Sequence, residues 1–383
     1  MSKFNDMELL GRIKAAAGRD LSDRPVVTRA DEVPWAVEAI SVEWLDACLG
    51  SGAGREKITS ATVDDASSGT SVRGSIRLER DGNGNNEYLF AKTYPEFEHR
   101  VANILSDTAQ AEGHFYLDVL PHLNIEAPKG CYWAWDEENY RAVVIIEDVA
   151  HTKGASFCDW KTSISRDEAE DAVRLLARVH AKYYKSPDIM ETFPWIKTFE
   201  TWTDSFNDLR GQHLQAMIVA EDIIPEQLHG KGEELYDQFM SLRIPQDQNR
   251  STLIHSDVHL GNWYKTSEGR MGLCDWQCCN WGPAVRDLSY AVSSMLEPDD
   301  RRSWEAFLVH CYMEEFAVHS GFELEVEQVF LEYRRFLLAA LMMWTPTLCP
   351  APNFPVMQPE EMSRKMIERI TAAIAEQDSL GAF

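Results

Sequence analysis

Residues Leu253 to Asn262 read LIHSDVHLGN, and Gly272 to Gln277 read GLCDWQ. The apolar pair Leu253-Ile254 runs straight into His255, Ser256, Asp257, His259 and Asn262, and a single Asp275 then stands between apolar, strand-like flanks. Polar side chains at this density, directly after a strand-like run, are seldom there for packing alone.

Transfer of a phosphoryl group from ATP to a hydroxyl needs four things: an anchor for the phosphates, a metal bridging them, ligands for that metal, and a carboxylate that orients the acceptor. In HSDVHLGN a carboxylate and a carboxamide stand five positions apart. Asp257 can face the acceptor hydroxyl while Asn262 reaches a metal ion, and Asp275 supplies a second, charged ligand. Magnesium suits such a set, because it takes few protein oxygens and completes its shell with phosphate and water. EYLFAKT offers a basic anchor, Lys92, near the end of an apolar strand where an unpaired Lys is costly to bury. Glu112, in QAEGHFYL on the following helix, is placed to pair with it. VVIIEDV then closes the β-rich half where Ile146, Glu147 and Val149 can offer backbone groups to an adenine edge.

The composition is that of a folded chain. Its 383 residues, 44% hydrophobic with 12 Trp, can bury one large core or two ordinary ones. A net charge of −25 argues against nucleic acid and anionic membranes, which need basic patches, and favours a neutral or cationic small molecule. The same charge also serves solubility. The start, MSKFNDMELLGRIK, has no apolar signal core. FLLAALMMW, at Phe336 to Trp344, stops at Thr-Pro, far short of the ~20 residues of a membrane span, so a buried helix is expected. The 8 Cys form no CxxC pair, and Cys274, Cys278 and Cys279 match no zinc spacing. Reduced thiols and a cytoplasmic location follow as expectations.

Residues 1–55 are expected to be a helical extension, with AVEAISVEWLDACLGSGAG ending in a Gly/Ser stop. Residues 56–150 form the β-rich part. KITSATVDDA, SVRGSIRLER and NEYLFAKTY are strand-like, and DGNGNN between the last two is a hairpin turn. A helix from about Glu96 to Leu120 comes next, then two strands, GCYWAW and RAVVIIEDVA. Residues 151–383 are mostly helical, with EAEDAVRLLARVHAKYY the clearest amphipathic segment.

These pieces together resemble the aminoglycoside phosphotransferase and choline kinase superfamily, and most closely its ecdysteroid-kinase-like branch. The resemblance covers roughly residues 40 to 370. It rests on the order of FAK, Glu112 to Tyr116, IIEDV, LARVHAKYY, HSDVHLGN, CDWQ, GPAVRDLSY and EPDDRRSWE. It implies an α+β, two-lobed protein-kinase-like fold, with a small β-rich N-lobe that binds nucleotide and a large, mainly α-helical C-lobe that carries catalysis and the substrate site. It implies ATP and Mg2+ as cofactors, Lys92 on the nucleotide phosphates with Glu112 as its partner, Asp257 as catalytic base, and Asn262 and Asp275 on magnesium. The nucleotide cover would be SSGTSVRG, Ser67 to Gly74, with Ser68, Gly69 and Thr70 over the phosphates. Two departures stand out: Ser256 replaces the usual Gly after the first His, and the cover lacks a run of glycines.

Blander roles compete with each assignment. Asp257 could simply cap its loop, and Lys92 with Glu112 could be a surface ion pair. His255, His259 and His180 are expected to be structural, Asp287 to brace the catalytic loop, and Trp263, Trp276 and Trp281 to pack. Two other functions stay open: a catalytically inactive kinase-like binding module, and a metallohydrolase with His255, Asp257 and His259 as ligands. The metallohydrolase leaves Lys92 and IIEDV unexplained.

Overall fold

The computed structural model describes residues 6–68, 71–106, 108–186, 188–199, 208–242, 250–350 and 356–383. The chain forms two compact units. The first gathers residues Met1–His122, Pro128–Ala155 and Asp275–Cys278; the second gathers Leu123–Ala127, Ser156–Cys274 and Cys279–Phe383.

The first unit is built on a five-stranded antiparallel sheet of strands β1 (Ile58–Ser68), β2 (Val72–Arg80), β3 (Asn83–Thr93), β4 (Gly130–Asp136) and β5 (Arg141–Glu147), in the order β1-β2-β3-β5-β4. Alternation decides which side each residue faces. Ile76 and Leu78 of β2, Leu89 and Ala91 of β3, and Val143 and Ile145 of β5 turn one way, into a core closed by Val37, Ile40, Trp44 and Leu45. The last two belong to helix α2 (Val42–Leu49), whose N-cap Ser41 accepts from the Trp44 N–H. The opposite face carries Arg73 and Ser75 of β2 and Phe90 and Lys92 of β3, paired as Arg73 with Lys92 and Ser75 with Phe90. The β2–β3 hairpin closes at Asp81-Gly82, where Gly82 has φ +75° and needs no Cβ.

Helix α1 (Met7–Asp23) is part of this unit. Its buried Asp20 takes Arg100 at 2.6 Å and Arg141 at 2.5 Å, bolting α1 to helix α3 (Phe97–Ser106) and strand β5. The helix expected from about Glu96 to Leu120 is described as α3, as α4 (Thr108–His114) and as a π-helical turn at Phe115–Val119, with residue 107 outside the described residues. Asn103 Oδ1 accepts from Thr108 Oγ1 at 3.0 Å and from the Ala109 N–H at 2.7 Å.

The second unit is mainly helical. Helix α6 (Arg166–Tyr183) opens with a capping box between Ser165 and Glu168. The helix Ala284–Met295 is buried on every side, packed by α6 and by the helices Pro298–Ser320, Val326–Leu348 and Glu360–Glu376. Helix Val326–Leu348 does not stop at Thr345-Pro346 but runs through the proline. Pro346 lies in the last turn, where its missing N–H removes a single bond, and the Thr347 hydroxyl donates to the Met343 carbonyl. Two small sheets complete the unit: β7 (Ser251–Ile254) with β10 (Asn280–Pro283), and β6 (Ser156–Phe157), β8 (Trp263–Lys265) and β9 (Met271–Leu273) in the order β6-β8-β9. Among the described residues, no helix is long and apolar enough to cross a membrane.

Candidate active site

Lys92, Glu112 and Asp275 meet in the first unit. Nζ of Lys92 donates to Glu112 Oε1 at 2.6 Å and to Asp275 Oδ1 at 2.9 Å. Lys92 is 5% exposed and Glu112 fully buried. Burial works against the Lys92 charge, but the Asp275 and Glu112 carboxylates more than offset it and hold the ammonium above its ordinary range. Burial dominates at Glu112 and pushes its carboxyl up to about 7, although Lys92 pulls the other way. Its second oxygen, Oε2, is buried with no hydrogen-bond partner among the described residues.

Two packing contacts fix this cluster. Gly113, next to Glu112, lets α4 lie directly on Trp133 of β4; a Cβ there would stand 2.4 Å from Trp133 Cγ. Phe115 stacks on Trp276 with ring centroids 3.7 Å apart, next to Asp275. Asp275 itself has φ 63°, a left-handed conformation that L residues avoid.

On the same sheet face, the end of β5 brings Ile146 opposite Phe90. The Glu147 carboxylate is occupied by the Lys129 N–H at 3.1 Å and Thr152 Oγ1 at 2.7 Å. Asp148 caps the short helix α5 (Val149–Thr152) and receives Ser75 Oγ at 2.5 Å. The Val149 carbonyl accepts from Lys153 and Ala155. Of the expected phosphate cover, Ser68 ends β1, and Gly69 and Thr70 lie outside the described residues.

Asp257 and Asn262 meet in the second unit, on the loop that leaves β7. Asp287, at the start of helix Ala284–Met295, shapes that loop. Its Oδ2 accepts the His255 N–H at 2.6 Å, its Oδ1 accepts the Ser256 N–H at 3.0 Å, and Arg286 donates to the Ser256 carbonyl at 2.8 Å. Burial acts to raise the Asp287 carboxyl, but the His180 hydrogen bond and the charges of His180 and Arg286 prevail and keep it below the usual carboxylate value. These bonds hold Ser256 at φ 71°, the conformation for which Gly is the default. The Ser256 hydroxyl has a use of its own, accepting from Asn280 Nδ2.

His255 is committed at both ring nitrogens. Nδ1 accepts the Asp257 N–H at 3.2 Å, so Nε2 carries the proton and donates to the Cys274 carbonyl at 2.9 Å. His259 Nδ1 likewise accepts the Gly261 N–H at 3.0 Å, which leaves an Nε2–H 3.7 Å from Asp257 Oδ2. Asn262 Nδ2 donates to the Asp257 carbonyl at 2.7 Å and to its Oδ2 at 3.3 Å. This use of the amide nitrogen leaves Oδ1 for a metal. Tyr290 donates its phenol proton to Asp257 Oδ1 at 3.2 Å.

The reading of the sequence passed over Tyr290, although it lies three residues beyond Asp287 on the same helix, a spacing that puts both on one face. Ser75 and Phe90 were also passed over; both follow from period-two alternation once Lys92 is placed. His180 packs, with Nδ1 2.8 Å from Tyr312 Oη and Nε2 3.4 Å from Asp287. Trp263 and Trp276 are fully buried.

The model of the ecdysteroid kinase-like family matches residues 66–321 of the chain. Among solved structures the chain is similar to an amicoumacin kinase in complex with AMP-PNP and Ca2+, at 12% identity and a TM-score of 0.51, over 82% of this chain and 88% of that one. It is also similar to choline kinase LicA from Streptococcus pneumoniae, at 12% identity and a TM-score of 0.47, over 83% of this chain and 94% of that one. A third likeness is to an ethanolamine kinase from Plasmodium vivax, at 14% identity and a TM-score of 0.47, over 94% of each chain. No curated protein matches. The fold is the α+β kinase-like one, with a β-rich N-terminal part and a helical C-terminal part.

Proposed function

We propose that this chain, which belongs to the ecdysteroid kinase-like family, transfers the γ-phosphoryl group of ATP to a hydroxyl of a small organic molecule. The observation that carries the reading is the bridge made by the buried Lys92 ammonium between Glu112 and Asp275. Gathering three ionisable groups in a largely buried cluster is expensive, and a single carboxylate is enough to neutralise a lysine. A second carboxylate beside an anchored cation is what a magnesium–triphosphate site requires.

In this reading Lys92 holds phosphate oxygens and Glu112 orients Lys92. The end of β5, at Ile146, Glu147 and Val149, offers backbone groups to the adenine, and the segment with Ser68, Gly69 and Thr70 covers the phosphates. The carboxylate of Asp275 and the amide oxygen of Asn262 are hard oxygen ligands, the kind magnesium takes. A magnesium ion held there would supply positive charge to offset the charge that develops on the phosphoryl group in transit. Asp257 orients the acceptor hydroxyl and takes its proton as the new O–P bond forms and ADP leaves. Tyr290 and Asn262 keep the Asp257 carboxylate aimed. The nucleotide side is thus assigned to residues 56–150 and the acceptor side to residues 151–383.

The acceptor is assigned as a neutral or cationic alcohol. Only residues 276–283 separate Asp275 from the helix that begins at Ala284, which leaves no length for a platform that would hold a peptide. The net charge of −25 disfavours an anion. A metallohydrolase reading would need His255 as a ligand, and both its nitrogens already serve backbone groups. The cysteines are scattered and form no CxxC pair, which suits a reducing compartment such as the cytoplasm.

The test is a screen for transfer of labelled γ-phosphate to hydroxylated metabolites, sugars, antibiotics and sterol-like alcohols, run beside magnesium-dependent ATP binding. Binding without transfer to any acceptor would identify an inactive binding module. Zinc-dependent hydrolysis without ATP would identify a metallohydrolase.

A further inference from the structure

A second cation shares the sheet face of Lys92. Arg73 of β2 stands directly opposite Lys92 of β3 in the antiparallel register, and directly opposed residues project to the same side. The next pair in that row, Ser75 and Phe90, fixes the side, because Ser75 Oγ reaches Asp148 at the end of β5. Gly74, Ile76 and Leu78 alternate the other way, the last two into the core under Trp44 and Leu45. Arg73 therefore lies on the face assigned to the nucleotide, on the phosphate side of Ser75 and next to Lys92.

Among the described residues its guanidinium has no hydrogen bond or ion pair, and its Nε is buried there without a partner. An unsatisfied buried donor on a charged group is costly, and native structures rarely keep one without a use. Arg73 is close enough to Glu112 for its charge to draw that carboxyl down, yet it forms no bond to the orphaned Glu112 Oε2. The local charge supplies the reason to keep it. Lys92 already shares its ammonium with the carboxyl groups of Glu112 and Asp275, so on its own it brings no surplus of positive charge to a triphosphate. Arg73 adds that charge, and it presents a planar fork of donors that matches phosphate oxygens better than an ammonium does.

We propose that Arg73 is a second phosphate-binding residue, donating from its guanidinium to the phosphate chain of the nucleotide beside Lys92. This rests on the reading that the first unit binds ATP. The test is calorimetric titration of the full chain with Mg·ATP, Mg·ADP and adenosine, comparing wild type with Arg73→Gln and Arg73→Lys. Melting temperatures are measured in parallel. Arg73→Gln should weaken Mg·ATP by about tenfold to a hundredfold, the range for a hydrogen bond to a charged group. Mg·ADP should weaken as well, adenosine should bind as in wild type, and Arg73→Lys should recover part of the loss. Wild-type affinity for Mg·ATP in Arg73→Gln would overturn the inference and leave the kinase reading standing. Equal losses for ATP and adenosine would also overturn it, by making Arg73 a structural residue. A wild-type chain that binds no nucleotide would overturn the kinase reading and the inference together.

Discussion

Asp287 holds the backbone of His255: its Oδ2 receives the His255 N–H at 2.6 Å, while Oδ1 takes the Ser256 N–H. One buried carboxylate thus satisfies two successive amides and fixes the direction in which the chain leaves β7 toward Asp257. Asn at position 287 has a single acceptor oxygen, so one amide would face an NH2 group. Asp287→Asn should cost about 1–3 kcal/mol of stability, the penalty for leaving a buried donor unpaired. It should also remove phosphotransfer while Mg·ATP still binds the first unit. Urea denaturation and nucleotide titration measure the two effects. A variant with both native stability and native turnover would show that the loop does not depend on this bond.

The carboxylate of Asp257 sits between the Tyr290 phenol, the Asn262 amide and the His259 Nε2–H. Asp257→Asn should lower kcat by ~10²-fold or more, the range for a positioned acid–base group, with nucleotide affinity nearly unchanged. Tyr290→Phe keeps the ring and removes one donor, so kcat should fall by about tenfold, the lower end for a bond to a charged group, with KM for ATP held. If Asp257→Asn stays within a few-fold of wild type, the base is misassigned. If only Tyr290→Phe is silent, the aiming role is wrong.

How much of this was legible in the sequence depended on the range of the interaction. The apolar runs in EYLFAKT and VVIIEDV and the DGNGNN turn marked β3, β5 and the hairpin, because apolar runs and turn chemistry are local signals. The HSDVHLGN loop was conspicuous for the same reason. The bond from the Ala109 N–H to the Asn103 oxygen was hidden, since only the fold shows which way that side chain turns. Tyr290 and Arg73 were hidden by distance. One reaches Asp257 across 33 positions, and the other meets Lys92 only through the β2–β3 register. Nor could local pattern reveal that Asp275–Cys278 packs with the first unit although it is embedded in the sequence of the second.

His213 gives the fold a pH dependence away from Asp257. It is fully buried on the helix Leu209–Val219, with Nδ1 3.2 Å from Thr345 Oγ1 and Nε2 3.1 Å from the Gly232 carbonyl. Burial lowers its pKa from 6.5 to about 4, although the Gly232 carbonyl opposes the shift. Between those two values the unfolded chain binds the extra proton, so stability rises with pH there. The contribution is complete above pH 6.5, falls away on acidification towards pH 4, and is worth up to about 3 kcal/mol. Melting curves from pH 7.5 to 4 should show this slope, and His213→Gln should flatten it by one proton. An unchanged slope in that variant would remove His213 as the cause.

Lys92 and Glu112 should behave as one element. Lys92→Ala and Glu112→Ala should each raise KM for ATP or lower kcat, and the double variant should cost little more than the worse single, since groups that act together are not additive. A double-mutant cycle on kcat/KM measures this directly. Fully additive losses would mean that the 2.6 Å contact has no part in turnover.

Gly113 offers a test of how packing sets up that pair. Alanine in place of glycine inside a helix ordinarily adds roughly 0.5–1 kcal/mol, so on helix propensity alone Gly113→Ala should stabilise. The structure demands the opposite sign. The new methyl would stand 2.4 Å from Trp133 Cγ and 2.5 Å from Cδ2, too close for the indole to absorb without moving α4 off β4. Overpacking of this kind costs about 1–3 kcal/mol, and the shift would draw Glu112, the adjacent residue, away from Lys92. Gly113→Ala should therefore melt lower than wild type and bind Mg·ATP more weakly. Adding Trp133→Gly, which removes Cβ, Cγ and Cδ2 from beside the methyl, should recover the affinity for Mg·ATP. A Gly113→Ala variant that melts higher than wild type, or one whose weakened binding Trp133→Gly fails to rescue, would show that the close approach of α4 to Trp133 does not position Glu112.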